Sequence, residues 1–323
     1  MKVLVTQEYI GAALDEFDGS GIEVDVRDDA VPLPYDELVT KLVGYDGVIS
    51  MLTDRIDAAL LDANPQLKVV ANCAAGFDNI DVEAATQRSV AVTNTPGVLN
   101  QATADLAFAL ILATARRIPE GDVFSRAGKY EFWRLKQEQL GLDVFGQTLG
   151  IFGMGKIGQA VAARARGGFD MTVIYHNRSR LEKDVERDLG VTYVEFDELL
   201  ERSDFVSIHS PLTDGTRHRF DASAFEKMKR SAILINTGRG PIVDEAALAR
   251  ALRDNVIAGA GIDVYEAEPA MDPLLVQQYD RVVLLPHLGS ATASTREKMA
   301  RTAAINARAV LSGQSPPNPL NTP

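Results

Sequence analysis

Three short polar clusters each follow an apolar run, and each contains one residue suited to acting on a carbonyl group. Asn236-Thr237-Gly238-Arg239 follows AILIN at 232–236, Asp263 through Glu268 follows the stretch 257–264, and Pro286-His287 follows VVLL at 282–285. An arginine offers a carboxylate two parallel N–H donors and, being permanently charged, polarises an adjacent carbonyl. A histidine titrates near neutral pH, so it can hand a proton to a carbonyl oxygen while the carbon gains a hydride. A carboxylate on the other ring nitrogen orients that imidazole and favours its charged form. Taken singly, Arg239 reads as a surface ion-pair partner, Glu268 as a solvated turn residue and His287 as a structural histidine. If the apolar runs are parallel strands, their carboxyl ends converge, and the three residues become one candidate site.

A hydride needs a carrier, and 148–166 supplies the element to hold one. TLGIF reads as a buried strand, Gly153, Gly155 and Gly158 follow as G-x-G-x-x-G, and Ile157, Val161, Ala162 and Ala165 then recur at helical spacing. Strand, glycine turn and helix together form a dinucleotide site: the turn brings backbone close to a pyrophosphate, and the helix start offers unpaired N–H groups. Gly153, Met154, Gly155, Lys156, Ile157 and Gly158 are therefore the expected phosphate-side residues. The next strand, MTVIY at 171–175, runs into His176-Asn177-Arg178-Ser179-Arg180. An NAD site carries Asp or Glu about 20 residues beyond the glycines, on the ribose 2′-hydroxyl. Here Asn177 stands 19 residues after Gly158, with two arginines and a serine behind it. That set suits a 2′-phosphate, so NADP is expected ahead of NAD. The competing reading leaves both arginines as ordinary surface charges. His209-Ser210-Pro211 through Thr216 is expected to line the adenine side.

Strand and helix signals alternate along the whole chain, which implies parallel βαβ units. Apolar strands are expected at 2–5, 24–26, 47–51, 67–71, 90–92, 149–152, 171–175, 205–209, 232–236, 257–264 and 282–285, and helices at 35–43, 100–116 and 291–311. The segment 100–116 is apolar nearly all round and is expected to lie buried between two lobes. Residues 119–147 read as polar and irregular, and contain the one tryptophan, Trp133. Small residues at Ala74, Ala75 and Gly76 follow the strand at 67–71, where bare amides can hold a carboxylate; a helix-start turn capped by Asp78 or Asn79 is the alternative.

With 323 residues, 46% of them hydrophobic, the chain has the length for about two globular domains. A net charge of −12 argues against a general nucleic-acid or anionic-membrane binder. The single cysteine, Cys73, excludes an internal disulfide and any Cys/His zinc spacing, so no metal is expected, and a reducing, cytoplasmic compartment is. The N-terminus lacks a signal-peptide pattern, and no apolar stretch is long enough to span a bilayer.

The motifs TLGIFGMGKIG, INTGRGPIVDE, GIDVYEAEP and LPHLGSAT, in this order and spacing, resemble the D-isomer-specific 2-hydroxyacid dehydrogenase family, and most closely its glyoxylate/hydroxypyruvate reductase branch. The resemblance covers essentially the whole chain. It implies two flavodoxin/Rossmann-like lobes, the second inserted into the first: 1–99 with 289–323 as the substrate-binding domain, and 100–288 as the dinucleotide-binding domain. It implies a catalytic triad of Arg239, Glu268 and His287, and Asp263 and Thr103 at the nicotinamide. It further implies Thr237, Gly238, His287 and Gly289 along the cofactor, and Ala75 and Gly76 with Arg239 on the substrate carboxylate. The segment bearing Trp133 then belongs to a homodimer interface. The chain departs from the family pattern at Ala74, where glycine is common, and at Asp170-Met171, where a glycine–methionine pair often stands. The expected activity is reduction of a small 2-keto acid, glyoxylate or hydroxypyruvate first and 2-ketogluconate next. Formate or phosphonate oxidation is a second enzyme reading, against which Glu268 counts. A dinucleotide-sensing binding protein without turnover is the alternative from a different class.

Overall fold

In the computed structural model, which describes residues 1–278 and 280–322, the chain separates into two compact units, one formed by Met1–Leu99 with the segment from Ala291 onward and one by Asn100–Ser290.

The first unit holds five parallel strands: β1 (Lys2–Val5), β2 (Glu23–Val26), β3 (Gly47–Ser50), β4 (Val69–Asn72) and β5 (Ala91–Thr93), in the order β2-β1-β3-β4-β5. Alternate side chains along a strand face opposite sides, and both sides are apolar here. Leu4, Val48, Val70 and Val92 pack against Leu38, Leu42, Leu60 and Ala85 from helices on one face. Val3, Val5, Ile49, Val69 and Ala71 meet Phe17 and the alanine stripe Ala303, Ala304 and Ala307 of the helix Ala293–Leu311 on the other.

The second unit holds β6 (Thr148–Phe152), β7 (Thr172–His176), β8 (Thr192–Tyr193), β9 (Phe205–Ile208), β10 (Ile233–Asn236), β11 (Gly259–Ile262) and β12 (Val282–Leu284). All pairs are parallel and the order is β12-β11-β10-β9-β6-β7-β8. The order reverses between β6 and β9, the point at which open α/β sheets bind ligands beyond their strand ends. Leu149, Ile151, Val173, Phe205, Ile233 and Ile235 face the helices Asn100–Ala115 and Lys156–Phe169. Val206, Ile208, Leu234 and Ala260 face Leu199, Phe225, Leu248 and Leu252.

The expected strands are all present with ends shifted by one or two residues. Three features differ. The two-residue strand β8 is too short to leave a pattern. The helical connection between β1 and β2 is a 3-10 helix, Gly11–Phe17, rather than an α-helix. A helix, Ile118–Arg126, occupies the start of the segment read as irregular; Pro119 sits in its first turn, where its missing N–H costs nothing. No helix among the described residues is long and apolar enough to cross a membrane.

Candidate active site

The glycine turn is built by backbone geometry. Gly153 has φ +102°, and a Cβ there would stand 2.4 Å from the Ser210 amide nitrogen and 2.6 Å from the His209 carbonyl carbon. Only glycine lets β6 and β9 end this close together. Gly158 packs the helix onto the turn, its Cβ position lying 2.3 Å from the Gly153 carbonyl oxygen. Gly155 is the N-cap of Lys156–Phe169, and no side chain caps that helix. Its first amides are thus left for an anionic ligand. The Met154 side chain is buried in the core and Ile157 packs against that core, so both contribute main chain here. Asn177 Oδ1 accepts a 2.6 Å hydrogen bond from the Met154 N–H, so this residue fixes the turn as well as leaving the site without a carboxylate.

A cavity of about 540 Å³ opens beside this turn, lined among others by Gly153, Gly155, Asn177, Arg178, Ser179 and Arg219. Residues of the segment 209–216 also line it, and their turn is held by Thr216 Oγ1, accepting from the Thr213 N–H and donating to the Pro211 carbonyl. Ser210 Oγ is buried there without a hydrogen-bond partner among the described residues, a polar atom that a ligand would satisfy. Burial pushes the His209 imidazole down to about 3, so it remains neutral between the Ser207 and Thr237 hydroxyls. Glycine turn, uncapped helix, cavity and orphaned hydroxyl together fit a dinucleotide.

Arg180, expected at the 2′-phosphate, has a protein partner of its own. It does not line the cavity; its guanidinium forks onto Glu186, Nε to Oε1 at 2.8 Å and Nη2 to Oε2 at 2.6 Å, and the Tyr175 hydroxyl joins Glu186 at 2.6 Å. The same Tyr175 hydroxyl accepts from the Leu181 N–H at 2.9 Å, which ties the chain just after Arg180 back to β7. The cavity cations are instead Arg178 and Arg219. The second of these stacks 4.0 Å from the Phe196 ring centroid. It was not anticipated, because it comes from the segment after β9, far along the chain from Arg178, and only the fold brings the two to one cavity.

The three strand-end clusters of the second unit are shaped by buried polar side chains. Asn236, fully buried, accepts from the Gly238 N–H and donates to the Arg239 carbonyl, which bends Thr237–Arg239 out of β10. Arg239 Nη1 donates to the Gly238 carbonyl at 2.9 Å. Asp263, also fully buried, accepts from the N–H groups of Leu288 at 2.6 Å and Gly289 at 2.8 Å, while its carbonyl accepts from the His287 N–H. His287 is thereby held at φ +56°, a left-handed conformation that a non-glycine residue adopts at a cost. Burial raises the Asp263 carboxyl, and the two amides and His287 offset this only in part. Thr103 is buried close by, with Oγ1 3.5 Å from where a Gly289 Cβ would stand.

His287 Nδ1 meets Glu268 Oε2 at 2.9 Å, and both side chains are 29% exposed, so the pair is open to solvent on one side. The other Glu268 oxygen accepts from the Tyr265 N–H at 3.1 Å. Burial pushes the Glu268 carboxyl up, but the hydrogen bond and charge of His287, the Tyr265 amide and the Arg239 charge outweigh it and hold the group below its usual value.

In the first unit, the carbonyls of Ala74, Ala75 and Gly76 are taken by the Thr95 N–H, Asn94 Nδ2 and Asn72 Nδ2. Asp81, rather than Asp78 or Asn79, caps the helix Val82–Gln87. Among the described residues, no group of three or more metal-ligating side chains stands together.

A family model described as D-isomer specific 2-hydroxyacid dehydrogenase, NAD binding domain, matches residues 108–289. The chain belongs to this family. It is 47% identical to a glyoxylate reductase of Korarchaeum cryptofilum, covering 99% of this chain and 96% of that one, and 48% identical to one of Aeropyrum pernix over the same shares. Among solved structures, a Thermus thermophilus protein aligns with TM-score 0.92 at 45% identity, covering 99% of this chain and 100% of that one. An NADPH-dependent glyoxylate/hydroxypyruvate reductase of Sinorhizobium meliloti, in complex with NADP and malonate, aligns with TM-score 0.86 at 33% identity, over 99% and 96%. Membership of the D-2-hydroxyacid dehydrogenase family makes the protein an oxidoreductase using a nicotinamide dinucleotide.

Proposed function

We propose that the protein reduces glyoxylate or hydroxypyruvate to the D-2-hydroxy acid, with NADPH preferred over NADH. The observation that carries this reading is the His287–Glu268 pair, 2.9 Å apart in the same unit as Arg239 and the glycine turn. When bound, the cofactor supplies the hydride. Arg239 holds the substrate carboxylate and polarises the neighbouring carbonyl. With Nδ1 committed to Glu268, Nε2 of His287 is the nitrogen left to carry the proton and pass it to the C2 oxygen. Glu268 keeps the ring oriented and stabilises its charged form. Thr103, Asp263 and Gly289 face the nicotinamide in this reading, and Asp263 also fixes the His287 backbone. The amides of Ala75 and Gly76 are assigned to the substrate carboxylate. Arg178, Ser179 and Arg219 are assigned to the 2′-phosphate, supported by the absence of a carboxylate at Asn177 and by two cavity cations. The exposed Phe132, Trp133, Leu135 and Phe145, 59–78% accessible, support a homodimer in which a second copy covers them.

Steady-state oxidation of NADPH and NADH, with glyoxylate, hydroxypyruvate and 2-ketogluconate in parallel, tests the reading. Turnover with NADPH and one of the first two acids is expected. Turnover only with NADH refutes the phosphate assignment, and turnover only with 2-ketogluconate refutes the substrate. Cofactor binding without turnover on any acid refutes the reductase.

A further inference from the structure

The motif INTGRGPIVDE contains a carboxylate that neither the triad nor the cofactor uses. Glu245 is the first residue of the helix Glu245–Arg253, and its residue exposure is 9%. A glutamate at a helix start needs no further explanation when it serves its own helix. Here that task falls to Asp244, which caps the helix by accepting from the Ala247 N–H. Both oxygens of Glu245 point elsewhere. Oε2 accepts from the Glu266 N–H at 2.9 Å, and Oε1 accepts from the Asp272 N–H at 2.5 Å. These are the first and last amides of the segment 266–272, and Glu268 lies inside it. Glu266 answers the contact: its Oε2 accepts from the Glu245 N–H at 3.4 Å, and its Oε1 meets His218 Nε2 at 2.6 Å. Inside the segment, the Ala270 N–H donates to the Ala267 carbonyl.

We propose that Glu245 is a positioning residue for the Glu268–His287 pair, clasping both ends of the loop that carries Glu268. The inference rests on the proposed role of that pair as proton donor. Two amide donors need two acceptors. A carboxylate offers both, whereas a glutamine offers one acceptor and turns an N–H toward the second amide. Loss of one end of the clasp frees Glu268 to withdraw from His287 Nδ1, and the imidazolium then loses its partner.

The test compares Glu245→Gln, Glu245→Asp and Glu268→Gln in the full chain. Glu245→Gln is expected to lower kcat about tenfold to a hundredfold, on the scale set by misplacing a catalytic group by about 1 Å. The cofactor KM is expected to stay within about twofold of the parent's, since the cavity is untouched. The alkaline limb of the kcat profile is expected to move to lower pH, and the His287 ring resonances, assigned with His287→Asn, to change chemical shift in the absence of cofactor as the Nδ1 hydrogen bond weakens. Glu245→Asp keeps the charge and both acceptors on a stem one carbon shorter; it guards against a glutamine variant that does not fold and is expected to give the same shift in smaller degree. Combining Glu245→Gln with Glu268→Gln is expected to move the alkaline limb no further than Glu268→Gln alone, because the two act through one contact. A folded Glu245→Gln or Glu245→Asp that loses thermal stability yet keeps the parent pH profile and His287 ring shifts overturns the positioning role. An unaltered profile in Glu268→Gln overturns instead the proton-donor reading on which it rests.

Discussion

Gly240→Ala adds one carbon and no charge beside Arg239, so it separates geometry from electrostatics. A Cβ at this buried glycine would stand 1.8 Å from the Tyr265 carbonyl oxygen, 1.9 Å from its carbonyl carbon and 2.6 Å from the Glu266 nitrogen. All three are backbone atoms, so no side-chain rotation relieves the overlap. Ordinary contact lies at about 3.5 Å, so the two segments must part by more than about 1.5 Å. Overpacking of this kind costs about 1–3 kcal/mol of stability. The larger effect falls on catalysis, since the displaced segment carries the Tyr265 N–H that holds Glu268 and leads directly into Glu268. A misplacement of about 1 Å is worth roughly a hundredfold in rate, or about 2.7 kcal/mol of activation free energy. The expected result is a folded enzyme with kcat down about a hundredfold and cofactor Kd within about twofold. Urea denaturation, cofactor fluorescence titration and steady-state kinetics measure the three quantities. A folded variant with kcat within about twofold of the parent refutes the claim that this packing sets the position of Glu268.

Three further outcomes are expected. His287→Asn lowers turnover by about 10²–10⁴-fold, the usual worth of a general acid, while cofactor affinity by fluorescence titration stays nearly intact; undiminished turnover removes His287 from that role. Arg178→Ala raises the KM for NADPH about tenfold or more and leaves that for NADH unchanged, as a lost charged hydrogen bond predicts, whereas Arg180→Ala leaves the ratio of the two near the parent's; the reverse pattern in coenzyme kinetics rules out the pairing of Arg180 with Glu186 as its main task. The Glu186 carboxyl is held below its usual value by Arg180 and then Tyr175, against a smaller opposing effect of burial. Its contribution to stability is therefore full above the unfolded value of about 4.3 and is lost as pH falls through the lower folded value. Urea melts of the parent and Glu186→Gln should differ most above the unfolded value and converge as pH falls through the lower folded one; a gap that widens with acid contradicts this sign.

The sheets were legible because buried parallel strands leave continuous apolar runs, as in AILIN and VVLL. The glycine turn was legible because its spacing sits between two such signals. Arg239, Glu268 and His287 were found as strand-end residues, since strand direction alone brings those ends to one edge of a parallel sheet. Other features depended on pairings that no local pattern encodes. Arg180 is drawn to Glu186 across a helix start, Arg219 joins the cavity from another loop, and Asn177 serves the Met154 amide. The helix Ile118–Arg126 was hidden by Pro119 and Gly121, residues that usually mark a break. The Glu245 clasp joins residues 21 and 27 positions apart through backbone amides, which carry no residue-type signal at all.

The alanine stripe of Ala293–Leu311 also sets an order of assembly. Val3, Val5, Ile49, Val69 and Ala71 form one apolar face of the first sheet, and that face is covered by Ala303, Ala304, Ala307 and Leu311. At a synthesis rate of about 5–20 residues per second, roughly 10–40 s separate the appearance of residue 99 from that of residue 311. Throughout that interval this face of the sheet has Phe17 but not its long helix, while Asn100–Ser290 emerges as one uninterrupted segment that holds all seven strands of its own sheet. Of the two units, the one whose strands are made earlier is thus the one completed later, and one apolar face of its sheet stays open to water in the meantime.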